Sequence, residues 1–260
     1  MSSISSPHND RIKLVRLLQR QAKARRSQQR LVLEGVRLVG DALQTGAQPD
    51  FVCFTAAAAG QIAALLDHAR STGAPCFEVT EPLMRDMADT ETPQGVLAVF
   101  PWPDRPLPAA PALIVVADGW RDPGNLGTLI RTSAAAGVDL VALTPGTVDP
   151  FNPKTLRAGM GAQFRVPLAT FTWDDLHRQW PEHAIFLADA AGTTRYDAVD
   201  WTQPAILAIG GEAHGLRDSA LTLPHTLIRI PMVIGAESLN AAISASILIY
   251  EARRHALHGA

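Results

Sequence analysis

The sequence predicts an α/β protein built as two domains, and three observations carry that expectation. Four apolar runs, LIVVADG, VDLVALT, AIFLADA and AILAIGG, alternate with helical stretches in the C-terminal half. Strands that are apolar throughout are buried on both faces, as in a mostly parallel sheet covered by helices. At PWPDRPLPAAP, residues 101–111, five of eleven residues are Pro, and neither a helix nor a central strand persists through such a stretch. The length of 260 residues exceeds one average domain of ~150. We therefore expect a smaller α/β domain over 1–100, a Pro-rich linker over 101–111 and a larger α/β domain over 112–260.

Taken in chain order, Ile12, Val15 and Leu18 recur at helical spacing, which makes the N-terminal segment part of a folded domain. A strand near Leu31–Leu33 and a helix over Val36–Leu43 follow, then the strand FVCFT, a helix around Ile62–Ala69, and the strands CFEVT and GVLAVF. Beyond the linker, LIVVADG runs into an Asp122-Pro123-Gly124 turn and the helical stretch NLGTLIRTSAAAG, in the order expected of a turn that feeds a helix. After VDLVALT, AIFLADA and AILAIGG, a short strand meets Pro231, and a long helix follows Asn240. In sheets of this kind ligands bind beyond the carboxyl ends of the strands, so sites are sought in the loops that follow them.

With 47% apolar and 18% charged residues, the chain has enough material for a core and is neither disordered nor collagen-like. No stretch approaches the ~18 apolar residues of a membrane span, and the start MSSISSPHND lacks the apolar core of a secretory signal. Cys53 and Cys76 are the only cysteines, with no CxxC or Cys/His cluster for zinc, which points to a reducing, cytoplasmic setting and to no metal. The net charge of −2 hides an uneven distribution: residues 1–40 hold nine Lys or Arg against Asp10 and Glu34, a surplus of +7. A basic segment on an otherwise acidic protein suits a polyanion, with nucleic acid the obvious candidate and Arg11, Lys13, Arg20, Lys23, Arg25 and Arg26 as the expected contacts. A solvated helix face and an Arg-rich transit peptide are the competing readings.

Three loops carry residues suited to chemistry. In the first, Asn125 opens a helix as a cap or as a site residue, and Arg131 is a lone cation among small and apolar neighbours. In the second, ILAIGGEAHGLR, Gly210, Gly211 and Gly215 surround Glu212 and let a ligand approach the backbone, although the spacing is not GxGxxG. In the third, Ser238 and Asn240 precede a helix that opens AAISAS. Ser238 is equally readable as an ordinary cap, whereas the small residues imply that something packs very closely on that helix.

In this order the three loops resemble the motifs of the SpoU/TrmH family of RNA ribose 2′-O-methyltransferases, a branch of the knotted SPOUT superfamily. Asn125 and Arg131 match the first motif, GGEAHGL the second, and Ile230–Met232 with Ser238–Asn240 the third. The segment NDRIKLVRLL through LVLEGVRLVGDAL is similar to the opening of the small substrate-binding domain that many members carry. The resemblance implies a SPOUT domain with a deep trefoil knot over 112–260, an N-terminal RNA-binding domain, and a homodimer whose active site draws on both subunits. It implies S-adenosylmethionine as methyl donor, held at Gly210, Gly211, Ile230 and Leu239, and Asn125, Arg131, Glu212, Ser238 and Asn240 as the catalytic set. Ribosomal RNA is favoured over transfer RNA by the extra domain, on analogy alone.

Two other readings stay open. A non-catalytic RNA-binding protein, such as a ribosome assembly factor, would share the fold but has no need of Asn125, Arg131, Ser238 and Asn240. A nucleotide-dependent Rossmann enzyme leaves the basic first 40 residues unexplained.

Overall fold

The computed structural model describes residues 2–211, 215–233 and 238–254. The chain forms two compact units, one of residues 1–104 with 151–164, the other of residues 105–150 with 165–260.

The first unit has a five-stranded sheet in the order β1-β4-β3-β5-β2. Its strands are β1 (Ser2–Ile4), β2 (Arg30–Glu34), β3 (Phe51–Thr55), β4 (Cys76–Val79) and β5 (Val96–Pro101). β1 and β3 run parallel to β4, while β5 is antiparallel to both β3 and β2. Helices α1 (Asp10–Arg20), α2 (Ala22–Gln28), α3 (Val36–Gln44), α4 (Ala56–Ala59), α5 (Ala63–Ser71) and α6 (Glu81–Met87) accompany it.

α1 starts where the Asn9 side chain accepts the Arg11 amide at 2.9 Å, and Asp10 and Arg20 complement its dipole at the two ends. Ile12, Val15 and Leu18 are fully buried, each adding roughly 1.5–3 kcal/mol of apolar burial. The segment Phe151–Phe164, which contains α8 (Pro153–Gly159), packs into the same unit through aromatic pairs. Trp102 and Phe151 have ring centroids 4.5 Å apart, and Phe100 and Phe164 meet edge to face at 5.6 Å.

Two of the expected RNA contacts have other occupations. Arg25 is 3% exposed, and its guanidinium donates to the Leu18 and Gln19 carbonyls at 2.6 and 3.3 Å. It satisfies the C-terminal carbonyls of α1, which otherwise lack partners, so burial removes it from any phosphate surface. Arg11 lies over the Phe77 ring, 4.5 Å from its centroid, a cation–π contact. Lys13, Arg20, Lys23 and Arg26 are exposed. Cys53 is buried, and that burial pushes its thiol up to about 12, which keeps it protonated and inert.

The second unit holds a seven-stranded sheet in the order β10-β12-β9-β11-β6-β7-β8. Its strands are β6 (Leu113–Asp118), β7 (Leu140–Leu143), β8 (Leu168–Thr170), β9 (Ala184–Ala188), β10 (Thr194–Arg195), β11 (Ala205–Gly210) and β12 (Thr226–Arg229). All six neighbouring pairs are parallel, in line with the mostly parallel sheet expected. β6 is buried along its whole length and β11 over its first five residues, which is why each reads as an unbroken apolar run. The helices are α7 (Pro123–Ala135), α9 (Trp173–Gln179), α10 (Asp218–Leu221) and α11 (Ala241–Ala252). α11 packs on α7 and β11, with Ala241, Ala242 and Ala245 buried and the Ser246 hydroxyl 3.2 Å from that of Thr132. The small residues of AAISAS thus let two helices and a strand approach closely. Among the described residues no helix is long and apolar enough to cross a membrane.

Candidate active site

β9, β11 and β6 lie side by side in register, with Ile209 opposite Ala188 and Gly210 opposite Asp118. Their carboxyl ends therefore deliver three loops to one edge of the sheet. Two neighbouring cavities open there. The larger, about 520 Å³, is lined by Gly210, Gly211, Ile230, Ser238, Leu239 and Asn240 among others. The smaller, about 340 Å³, is lined by Asp118, Trp120, Asn125 and Arg217, and shares Gly211, Gly215 and Ala241 with the first. Gly210 is required by close approach: a Cβ there would stand 2.2 Å from the Gly215 carbonyl carbon. Even Ala is excluded unless the loop moves.

Both helix starts differ from the simplest sequence expectation. α7 is capped by Asp122, whose Oδ1 accepts the Asn125 amide at 2.7 Å, and Pro123 takes the first turn. Asn125 is therefore inside the helix and its side chain is not the cap. α11 is capped by Asn240 and not by Ser238: Asn240 Oδ1 accepts the amides of Ala242 and Ile243 at 2.9 and 3.2 Å. With its oxygen engaged, the Asn240 amide nitrogen donates to Asn125 Oδ1 at 3.1 Å. One side chain thus ends a loop, starts a helix and joins the first motif to the third.

Arg131 is exposed and lines neither cavity. Six residues along an α-helix amount to about 9 Å and roughly 240° of rotation, so Arg131 and Asn125 leave α7 in different directions. Glu212 lies outside the described residues. Among the described residues no group of three or more His, Cys, Asp or Glu is placed to hold a metal ion.

Besides Arg121, which lines the smaller cavity, three charged residues of this edge are not singled out by sequence reasoning. Asp118 is fully buried; it accepts the Thr144 hydroxyl at 2.8 Å and the Arg217 amide at 2.9 Å, and faces Arg217 Nε at 3.7 Å. A buried carboxylate costs heavily unless so satisfied. Its effect is to fasten the loop after β11 to the tip of β6. Gly119, with φ +70°, gives the Arg217 guanidinium room, since a Cβ would lie 2.8 Å from Nε. The one signal for Asp118 is an acid closing an otherwise apolar strand; Arg217 carries none. The third, Asp189, lines the larger cavity directly after β9.

Comparisons with known proteins agree with the α/β fold. The model of the SpoU rRNA methylase family matches residues 112–250, and that of the MRM3-like substrate binding domain matches residues 9–98. The mitochondrial rRNA methyltransferase 3 of Mus musculus is 31% identical over 307 residues, covering 95% of this chain and 73% of its own length. The 23S rRNA (guanosine(2553)-2′-O)-methyltransferase RlmP of Bacillus subtilis is 34% identical, covering 70% of this chain and 74% of its own. The crystal structure of an AdoMet-bound rRNA methyltransferase from Sinorhizobium meliloti superposes with a TM-score of 0.86 at 32% identity, covering 98% of each chain.

Proposed function

The chain belongs to the SpoU rRNA methylase family, and from that membership we propose how its own residues methylate a ribose 2′-hydroxyl of ribosomal RNA with S-adenosylmethionine. The observation that carries the reading is the Asn240–Asn125 hydrogen bond, which ties the first and third motif loops together beside the two cavities. The larger cavity fits the cofactor: its volume falls within the ~300–1,000 Å³ usual for small-molecule sites. Gly210 and Gly211 offer bare backbone, and Ile230, Met232 and Leu239 offer apolar walls.

When bound, the cofactor supplies an electrophilic methyl on sulfur, and the protein must place the ribose hydroxyl in line with it. Asn125 and Asn240 orient the ribose, and Ser238 lines the larger cavity together with Asn240. A guanidinium stays protonated at neutral pH, so Arg131 binds the adjoining phosphate and polarises the hydroxyl. Glu212 of the second motif belongs to the same set on the motif match alone.

Arg131 meets this site from a second copy of the chain. α11 is apolar on both faces: Ala242, Ala245, Leu248 and Ile249 point inward, while Ile243 and Tyr250 are 50% and 49% exposed, with Ile247 between them half-buried. A helix apolar all round is one that becomes buried, and a homodimer through α7 and α11 covers this stripe. The second unit is also proposed to be a deep trefoil knot, against the general rule for chain threading. After β12, beyond β9, the chain returns to place α11 on α7 and β11, and its two loops share one cavity.

Purified protein with tritiated cofactor is expected to label ribosomal RNA, and mass spectrometry to locate the label on a ribose. Labelling of transfer RNA alone, or of none, overturns the proposal. The N-terminal unit is expected to supply affinity and not chemistry. Replacing the exposed Arg20, Lys23 and Arg26 by Gln should raise the RNA Kd and flatten its salt dependence by ~0.7–0.9 in log–log slope per lost phosphate contact. Turnover at saturating RNA should change little. Arg25→Gln should leave the slope alone and lower stability by roughly 1.5–3 kcal/mol, the range for hydrogen bonds made by a charged group. An unchanged slope in the triple variant would show that these charges only solvate a helix.

A further inference from the structure

We infer that Asp189 is a cofactor-binding residue whose carboxylate accepts hydrogen bonds from the ribose hydroxyls of S-adenosylmethionine. The inference rests on the reading of the larger cavity as the cofactor site. Among the described residues lining that cavity, Asp189 is the only charged one. It is exposed.

The carboxylate is held in place before any ligand arrives. Asp189 Oδ1 accepts the Ala191 amide at 2.7 Å, the Asp189 amide donates to the Ile228 carbonyl at 2.9 Å, and the Gly192 amide returns to the Asp189 carbonyl at 3.1 Å. A carboxylate accepts at two oxygens with about four lone-pair sites, so one oxygen serves the turn and capacity remains for a ligand donor.

The order of strands decides which part of the cofactor it meets. The reacting methyl must face the Asn125–Asn240 pair, and Asn125 lies on the side of the smaller cavity, with Asp118 at the tip of β6. In the order β9-β11-β6, β9 stands two strands from β6, about 10 Å at the usual spacing, with Gly210 at the tip of β11 between them. A cofactor crossing Gly210 with its sulfur toward the Asn pair has its adenosine over β9. Asp189 therefore faces a neutral diol and not the sulfonium. An acid near the end of a parallel strand that accepts from a ribose is the same solution that dinucleotide-binding folds use.

Calorimetry on the full chain tests this with three probes: S-adenosylmethionine, S-adenosylhomocysteine, which keeps the ribose but has a neutral thioether, and the 2′-deoxy form of S-adenosylhomocysteine. Asp189→Ala is expected to weaken the first two equally, by about tenfold, the scale of a charge-assisted hydrogen bond. It should affect the deoxy probe far less. Asp189→Asn, whose one oxygen can stay with the Ala191 amide while its nitrogen replaces the acceptor facing the ligand, should weaken the first two probes as Asp189→Ala does and melt with the wild type, which separates the ligand contact from the turn that Asp189→Ala also loses. Unchanged affinity in Asp189→Ala overturns the inference. A loss confined to S-adenosylmethionine overturns it in favour of a contact with the sulfonium. Wild-type protein that binds none of the three overturns the cofactor cavity itself, and the inference with it.

Discussion

Arg131→Ala is expected to lower methyl transfer by about 10³-fold while changing the Kd for S-adenosylmethionine by less than twofold. The size of the loss follows from the role proposed for Arg131, a preorganised cation acting on the reacting hydroxyl and its phosphate, where a single donor is worth ~10²–10³ in rate. The intact affinity follows from position, since Arg131 lines neither cavity of its own chain. Arg131→Lys should recover part of the rate, because an ammonium keeps the charge but not the two-pronged geometry. Single-turnover tritium transfer reports the rate and calorimetry the affinity. Retention of most of the activity would remove Arg131 from the mechanism. A large loss of cofactor affinity would place it in the cofactor cavity instead.

What is legible in the sequence follows from how each element is stabilised. β6 and β11 show as unbroken apolar runs because neighbours cover both of their faces, and α1 shows through Ile12, Val15 and Leu18 because one face meets a core. β1 and β10 do not show: three and two residues at a sheet edge carry no periodicity to read. The place of Phe151–Phe164 in the first unit depends on aromatic pairs such as Trp102–Phe151, about fifty positions apart, which no local pattern encodes.

At the site, motif resemblance singles out Asn125 and Asn240, and the structure joins them. It does not tell which of Asp122 and Asn125, or Ser238 and Asn240, ends each helix, because Asp, Asn and Ser cap about equally well. Counting charges likewise cannot separate Arg26 from Arg25; only the position of the α1 carbonyls turns Arg25 inward. Asp118 and Arg217 escape notice because their roles arise from strand register and a loop that returns to it.

Asn240→Asp is expected to separate structure from activity at the junction of the first and third motifs. The Asn240 side chain performs two tasks through two atoms: Oδ1 accepts the Ala242 and Ile243 amides, and Nδ2 donates to Asn125 Oδ1. Aspartate keeps the first task, being as good a helix cap as Asn and favoured by the helix dipole. It loses the second, because an ionised carboxylate has no proton to donate and meets the Asn125 oxygen as two acceptors. Thermal stability should therefore stay within about 0.5 kcal/mol of wild type, whereas Asn240→Ala should lose ~0.5–2 kcal/mol with the cap. Both variants should fall by about 10²-fold or more in methyl transfer, the scale of a lost orienting group. The two inactive proteins, Arg131→Ala and Asn240→Asp, then report on each other. If each site draws Arg131 from one subunit and Asn240 from the other, unfolding and refolding them as an equal mixture leaves about a quarter of all sites intact, those in mixed dimers. Recovery of activity toward that fraction supports an active site shared between subunits. No recovery despite mixed dimers places Arg131 and Asn240 in the same subunit's site and removes the proposed role of the dimer in catalysis.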